Sequence, residues 1–127
     1  MNVSQQYSKT ELSSMGQVEL ESRALIRTAA ALNNIKENWE ERKEELPEAL
    51  EKNRRLWTIL ASAVGEDTCP QPVEVRKNNM NLALFVFQRT IHTLAEPKAE
   101  DLNVLININM NIAKGLSAHE EAPDEQK

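Results

Sequence analysis

Apolar residues recur at helical intervals along most of this chain, and that periodicity constrains its fold more than any other feature. The first stripe repeats at every seventh residue, through Val18, Leu25, Leu32, Trp39 and Leu46. Seven residues make about two turns of an α-helix, so these side chains share one face. The stripe predicts an amphipathic helix over roughly residues 17–45. Lys36 and Lys43 interrupt its second row, which predicts a break near the Asn33-Asn34 pair.

Turn-forming residues place the second and third helices. Pro47 suits a first helical turn, where its missing N–H costs nothing, and Gly65 is a typical helix end. The second helix is therefore expected between them. The third helix is expected from about Val73 to Ala95, because Pro97 disfavours a helical conformation in the residue before it.

The fourth segment, residues 102–116, combines two patterns. Its apolar residues alternate with polar residues from Val104 to Ile112, as they do in a strand. Asn is depleted in strands, however, and a helix gathers more of the apolar residues on one face. We therefore predict a helix that ends near Gly115, because glycine is common at helix ends.

Composition agrees with an all-α fold. The chain has 127 residues but only three Gly and five Pro, too few for the tight turns of a β-sandwich or barrel. We predict a small bundle of about four helices, forming a single domain over residues 17–116. Residues 1–16 are polar and predict a flexible arm, and residues 117–127 predict a disordered acidic tail.

Charge and hydropathy narrow the functional classes. The net charge of −5 disfavours a surface that coats nucleic acid, although the imbalance is local, since residues 37–51 contain seven acidic and two basic residues. The longest apolar run, Leu82 to Phe87, is too short to cross a bilayer. Cys69 is the only cysteine, so no intrachain disulfide can form. These features predict a soluble, cytoplasmic protein.

Catalytic motifs are missing from the sequence. It contains no glycine-rich phosphate loop, no pair of histidines at metal-binding spacing, and no Ser or Cys in a nucleophile motif. His92 on the third helix belongs to no catalytic motif, so it does not indicate a reaction. We expect no enzymatic activity, no cofactor and no bound metal.

The third helix has more apolar surface than a single core contact needs. One stripe, predicted to face the core, contains Val73, Met80, Ala83, Leu84, Phe87, Ile91 and Leu94. A second surface, roughly opposite, contains Val75, Leu82, Phe85 and Val86. A helix that is apolar all round is either central in its bundle or covered by a partner. The second surface is thus either core or a docking groove for an amphipathic helix of another protein.

Two asparagines, Asn53 and Asn109, fall on the apolar arcs of the second and fourth helices. A buried carboxamide without a partner costs about 1–3 kcal/mol, so each must be hydrogen-bonded or reachable from outside. The two residues are either internal amides that fix the register of the helices or amides presented to the backbone of a partner.

Two segments resemble the FlaF family of flagellar biosynthesis proteins. Residues 49–60 fit a pattern characteristic of that family, AL..N.RLW..L, and residues 105–116 are similar to its closing pattern, LI.IN..I..GL. Weaker agreement over residues 18–32 and 72–86 extends the resemblance to nearly all of residues 7–117. The resemblance implies an all-helical cytoplasmic protein that promotes flagellin production and serves as the secretion chaperone of flagellin, often alongside the regulator FlbT.

The resemblance also gives the apolar surface a use. The ends of flagellin are amphipathic helices that would polymerise prematurely, and a small helical protein with spare apolar surface suits covering them. We expect helix-in-groove binding of flagellin through Leu82, Phe85, Val86 and Arg89, with Asn53, Arg55, Trp57 and Asn109 from the matched segments. When flagellin is absent, the same apolar face is available for contact with a second copy, which would form a homodimer.

An alternative is post-transcriptional regulation of flagellin synthesis, through its mRNA or through another regulator. Lys52, Arg54 and Arg55 form the short basic group that RNA contact requires. No aromatic residue is interleaved with them and their neighbourhood is acidic, so nucleic-acid binding is the weaker hypothesis.

Overall fold

Four long helices build the described part of the chain: α1 (Gln17–Glu37), α2 (Leu46–Gly65), α3 (Val73–Ala95) and α4 (Leu102–Glu125). This computed structural model describes residues 16–65, 69 and 71–125, with side chains as far as Ser117. No strand occurs among those residues, and the predicted all-α fold of about four helices is confirmed.

The first predicted helix is interrupted at Asn38, slightly later than predicted. α1 ends at Glu37, and Asn38 leaves the helical region with φ −119° and ψ 44°. The carbonyl oxygen of Asn34 accepts both from the backbone N–H of Asn38, at 3.1 Å, and from its side-chain Nδ2, at 2.9 Å. A short α-helix, Trp39–Arg42, and a 3-10 turn, Lys43–Glu45, then lead into α2.

The bounds of α2 and α3 agree with the sequence prediction. Pro47 lies in the first turn of α2, Gly65 is its last residue, and α3 begins and ends where predicted. Arg76 on α3 donates from Nε to the carbonyl oxygen of Val64 at 2.8 Å. That bond satisfies one of the carbonyls left open at the end of α2, and it fixes where α3 turns back along α2.

The core is centred on α1 and α4, which pack antiparallel along most of their length. Ser22 near the start of α1 donates its hydroxyl to the carbonyl of Ala113 at 3.1 Å. Lys36 near the end of α1 donates to the side chain of Asn103 at 2.9 Å. α2 packs on α1, and α3 packs mainly on α2, so α3 is an outer helix. The largest fully buried side chains include Leu25, Leu32, Leu46, Leu50, Leu102 and Leu105.

The predicted end of the last helix at Gly115 is wrong, because α4 continues to Glu125. Gly115 does not have a positive φ, and a Cβ at this position would meet nothing within 4 Å. Neither its backbone nor its packing therefore requires glycine. The predicted arm and tail lie outside the described residues, apart from Gly16, Ser117 and the helical backbone of residues 118–125.

Replacing Gly115 by alanine tests the continuation of α4. Alanine fits the open space and reduces the freedom of the unfolded chain, so Gly115→Ala is expected to raise the free energy of unfolding by about 0.5–1 kcal/mol. Urea unfolding followed by circular dichroism measures the change. The control, Lys114→Ala, is expected to stay within about 0.5 kcal/mol of the parent. Destabilisation by Gly115→Ala would show that the helix ends there with a left-handed glycine.

Candidate functional site

A chain of three polar side chains crosses the core between α2 and α4. Trp57 Nε1 donates to Asn109 Oδ1 at 2.8 Å, and Asn109 Nδ2 donates to Asn53 Oδ1 at 2.7 Å. All three side chains are buried, and both asparagines are completely inaccessible to solvent. These bonds join α2 to α4 inside the apolar core.

The indole fixes the orientation of both amides. An indole N–H can only donate, so the Asn109 atom that faces it must be the oxygen. The other end of that amide is then a donor, and the Asn53 atom facing it must also be an oxygen. Asn53 Nδ2 is left buried with no partner among the described residues. Burial of such an unpaired donor costs about 1–3 kcal/mol.

These positions bear on two of the hypotheses made from the sequence. Asn53, Trp57 and Asn109 were predicted to contact a partner, with internal amides as the alternative for the two asparagines. In the structure their polar atoms face one another inside the core. They are therefore not presented to a partner in this conformation, and their direct effect is to hold α2 and α4 in one register.

The inner face of α3 is made of small side chains. Its buried residues are Ala83, Val86, Thr90 and Thr93. Thr90 donates its hydroxyl to the carbonyl of Val86 at 2.7 Å, and Thr93 donates to the carbonyl of Arg89 at 2.7 Å. Each hydroxyl is satisfied within its own helix, so the threonines pack as small apolar groups and α3 lies close to α2.

The apolar stripe that was predicted to face the core lies largely outside it, and that prediction is wrong. Its exposed members are Val73 (64% exposed), Leu84 (52%), Ile91 (69%) and Leu94 (46%). Met80 and Phe87 from the same stripe are half-buried, and Ala83 alone is fully buried. We call Val73, Met80, Leu84, Phe87, Ile91 and Leu94 the outer face of α3.

The residues predicted to form the docking surface on the opposite side of α3 are divided by the fold. Val86 is completely buried and Leu82 is half-buried against the core, so neither is freely available to a partner. Phe85 is 39% exposed. Arg89 is half-buried, with Nη2 3.7 Å from the Asp101 carboxylate, and so connects α3 to the turn before α4.

A shallow groove of about 540 Å³ runs beside the outer face, between α3 and α2. It is lined by Thr58, Ala61, Ser62, Gly65, Met80 and Phe87. The α2 side of the groove therefore carries only small residues, whereas the α3 side carries two large apolar ones. Small residues permit close approach of another helix, so the groove extends the apolar surface available to a partner.

Arg55, the remaining predicted contact residue, lies on the exposed surface of α2. Its Nε donates to the Glu51 carboxylate at 3.3 Å, and Arg54 Nε donates to the same carboxylate at 2.9 Å. Hydrogen bonding from Arg54, assisted by the charges of both guanidinium groups, lowers the pKa of Glu51 to about 2. Glu51 therefore stays ionised, and the two arginines share one anion on their own helix.

A second hollow, of about 310 Å³, lies between α1 and the start of α2. Its charged lining residues are Arg27, Arg42, Glu45, Glu48 and Lys52. Lys52 pairs with Glu48 at 3.6 Å. Because both signs of charge occur at its rim, this hollow does not select an anion or a cation, and the outer face of α3 is the stronger candidate for a binding site.

None of the described helices combines the length and the apolar character needed to cross a bilayer. Within the same residues, no group of three or more His, Cys, Asp and Glu side chains is placed to hold a metal ion.

Comparison with known proteins identifies the family. The sequence model of the family described as flagellar protein FlaF matches residues 3–116. The chain belongs to the FlaF family. The resemblance found in the two short segments is thus confirmed, and this member is a flagellar protein. No curated protein and no solved structure matches the chain.

The FlaF match covers every residue of the buried polar chain and all of α3. Both features therefore belong to the family domain of this protein.

The polar chain predicts unequal effects of removing its two asparagines. Asn109→Ala leaves the indole N–H and Asn53 without partners, so it is expected to lower the free energy of unfolding by about 2–4 kcal/mol. Asn53→Ala breaks one bond and removes a donor that was already unpaired, so a loss of about 1–2 kcal/mol is expected. Urea unfolding of both variants measures the difference. A larger loss of unfolding free energy for Asn53→Ala than for Asn109→Ala would contradict the orientation of the two amides that follows from the indole N–H.

Proposed function

We propose that this FlaF-family protein binds flagellin in the cytoplasm and acts as its secretion chaperone, thereby supporting flagellin production. The proposed action is binding alone, without catalysis. The observation that carries the proposal is the outer face of α3, where large apolar side chains are open along most of a helix in a protein of a flagellar family.

The shape and chemistry of this face suit an amphipathic helix of flagellin. Contiguous exposed apolar surface on a small protein is typical of an interaction site. A helix laid beside α3 would place its apolar stripe against Leu84 and Ile91 and into the groove formed with α2. Such a contact would cover the surface through which flagellin subunits would otherwise associate before export.

Regulation through flagellin mRNA is less well supported by the geometry. Lys52 pairs with Glu48, and Arg54 and Arg55 pair with Glu51, all within α2. Each of these cations lies beside a carboxylate that repels phosphate. The positive potential that RNA binding requires is thereby reduced, which favours the protein-binding proposal.

Binding of purified flagellin tests the proposal. Leu84 is half-exposed and is expected to be buried by the partner, so Leu84→Asp should weaken binding by roughly 10- to 100-fold. Isothermal titration calorimetry measures the affinity, and circular dichroism checks that helicity is retained.

The matched control is Ile59→Asp. Ile59 is 58% exposed on α2 and does not line the groove, so flagellin affinity should stay within about twofold of the parent. Equal loss in both variants would indicate a general charge effect. Unchanged binding by Leu84→Asp would show that flagellin does not use the outer face.

A further inference from the structure

The outer face of α3 has the spacing of a coiled-coil seam. Val73, Met80, Phe87 and Leu94 recur every seven residues in one row. Leu84 and Ile91 form a second row, four residues after Met80 and Phe87, and Lys77 takes the first place in that row. Two apolar rows with intervals of three and four residues are the a and d positions of a heptad repeat. The face is therefore shaped for another helix with the same repeat.

The two flanks of this seam carry little charge. On one side the flanking row contains Arg76, Ala83 and Thr90. Arg76 lies at the start of the helix and donates to the carbonyl of Val64, while Ala83 and Thr90 at the centre are buried and uncharged. On the other side Asn81 and Gln88 are exposed and uncharged. Charged residues at these flanking positions usually decide partner choice in coiled coils, by attraction or repulsion. Here nothing along the centre of the seam repels an identical helix.

Lys77 selects the direction of such a pairing. In a parallel pair, Lys77 would face Lys77 of the second copy inside an apolar seam, which is destabilising. In an antiparallel pair that sets Leu84 opposite Phe87, Lys77 lies opposite Leu94, at the end of the seam. In the same register the Glu96–Lys98 ion pair of the second copy, which spans 3.8 Å within its own chain, would come to the end of the seam that carries Lys77 and Glu74. Each end of the seam would then bring two acidic and two basic side chains together.

We propose that two copies of this chain associate through their outer faces, with the α3 helices antiparallel and the two-fold axis near residues 84–87. The interface is isologous, because each copy contributes the same face. The groove of about 540 Å³ between α2 and α3 receives side chains from the edge of the second helix. A dimer of this kind covers the same face that the proposed function assigns to flagellin, so the two associations exclude each other.

Sedimentation velocity of the purified protein alone tests the association. The sedimentation coefficient is expected to rise with protein concentration from monomer to dimer. Ile91 is 69% exposed and lies at the seam in both copies, so Ile91→Asp should weaken the dimer by at least about 100-fold. Ile59→Asp, outside the seam, should leave it within about twofold of the parent. A monomer at every concentration, or a dimer that Ile91→Asp does not weaken, overturns the proposal.

Cysteine cross-linking tests the direction. In a Cys69→Ser background, the double variant Lys77→Cys, Leu94→Cys should form a disulfide-linked dimer on mild oxidation. The two positions lie about 25 Å apart within one α3 helix, so they cannot react inside one chain. The single variant Lys77→Cys should give no cross-linked dimer. Efficient cross-linking of the single variant would establish a parallel pair and overturn the antiparallel arrangement.

The dimer proposal can be tested separately from the proposal that the protein binds flagellin. A dimer that forms as described while flagellin does not bind would remove the chaperone proposal and leave this one standing. Flagellin binding by a protein that remains monomeric would do the reverse.

Discussion

The indole N–H of Trp57 has no alternative but to donate, and much of the architecture depends on that restriction. Its bond to Asn109 fixes α2 in rotation and in register relative to α4. With Trp57 and Leu50 turned inward, the small residues Ala61 and Ser62 lie along the flank of α2. That flank is where α3 packs, and the groove between the two helices follows from it. The row of α2 that enters the core and the flank that receives α3 thus follow from the same orientation of α2.

Helix bounds could be predicted wherever a local signal decides them. Pro47 and Gly65 delimit α2, and the proline at 97 places the end of α3, because both residue types act through their own backbone geometry. The break at Asn38 and the continuation of α4 beyond Gly115 depend on different causes. At the first, the backbone of Asn38 leaves the helical region after its N–H has closed the last bond of α1 to Asn34. At the second, the helix continues through a glycine without requiring its flexibility.

Which face of α3 packs against the rest of the bundle could not be predicted from periodicity. Periodicity shows that apolar rows exist, but not which row meets a neighbouring helix. Thr90 and Thr93 count as polar by residue type, yet their hydroxyls are satisfied by their own helix and they line the contact with α2. Large residues such as Ile91 consequently lie outside. The inward positions of Asn53 and Asn109 could be predicted, but their bonding could not, since the two residues are 56 positions apart in the chain.

The buried polar chain also restricts how this sequence can change over evolutionary time. Substitution of Trp57 by phenylalanine leaves the amide oxygen of Asn109 without its donor. Substitution of Asn109 by leucine leaves both the indole N–H of Trp57 and the amide oxygen of Asn53 without partners. Replacing all three residues with apolar ones of similar volume leaves nothing unpaired and is close to neutral. Single steps away from the present arrangement are therefore disfavoured, while the concerted change is not. The residues at positions 53, 57 and 109 should consequently change together during evolution or not at all.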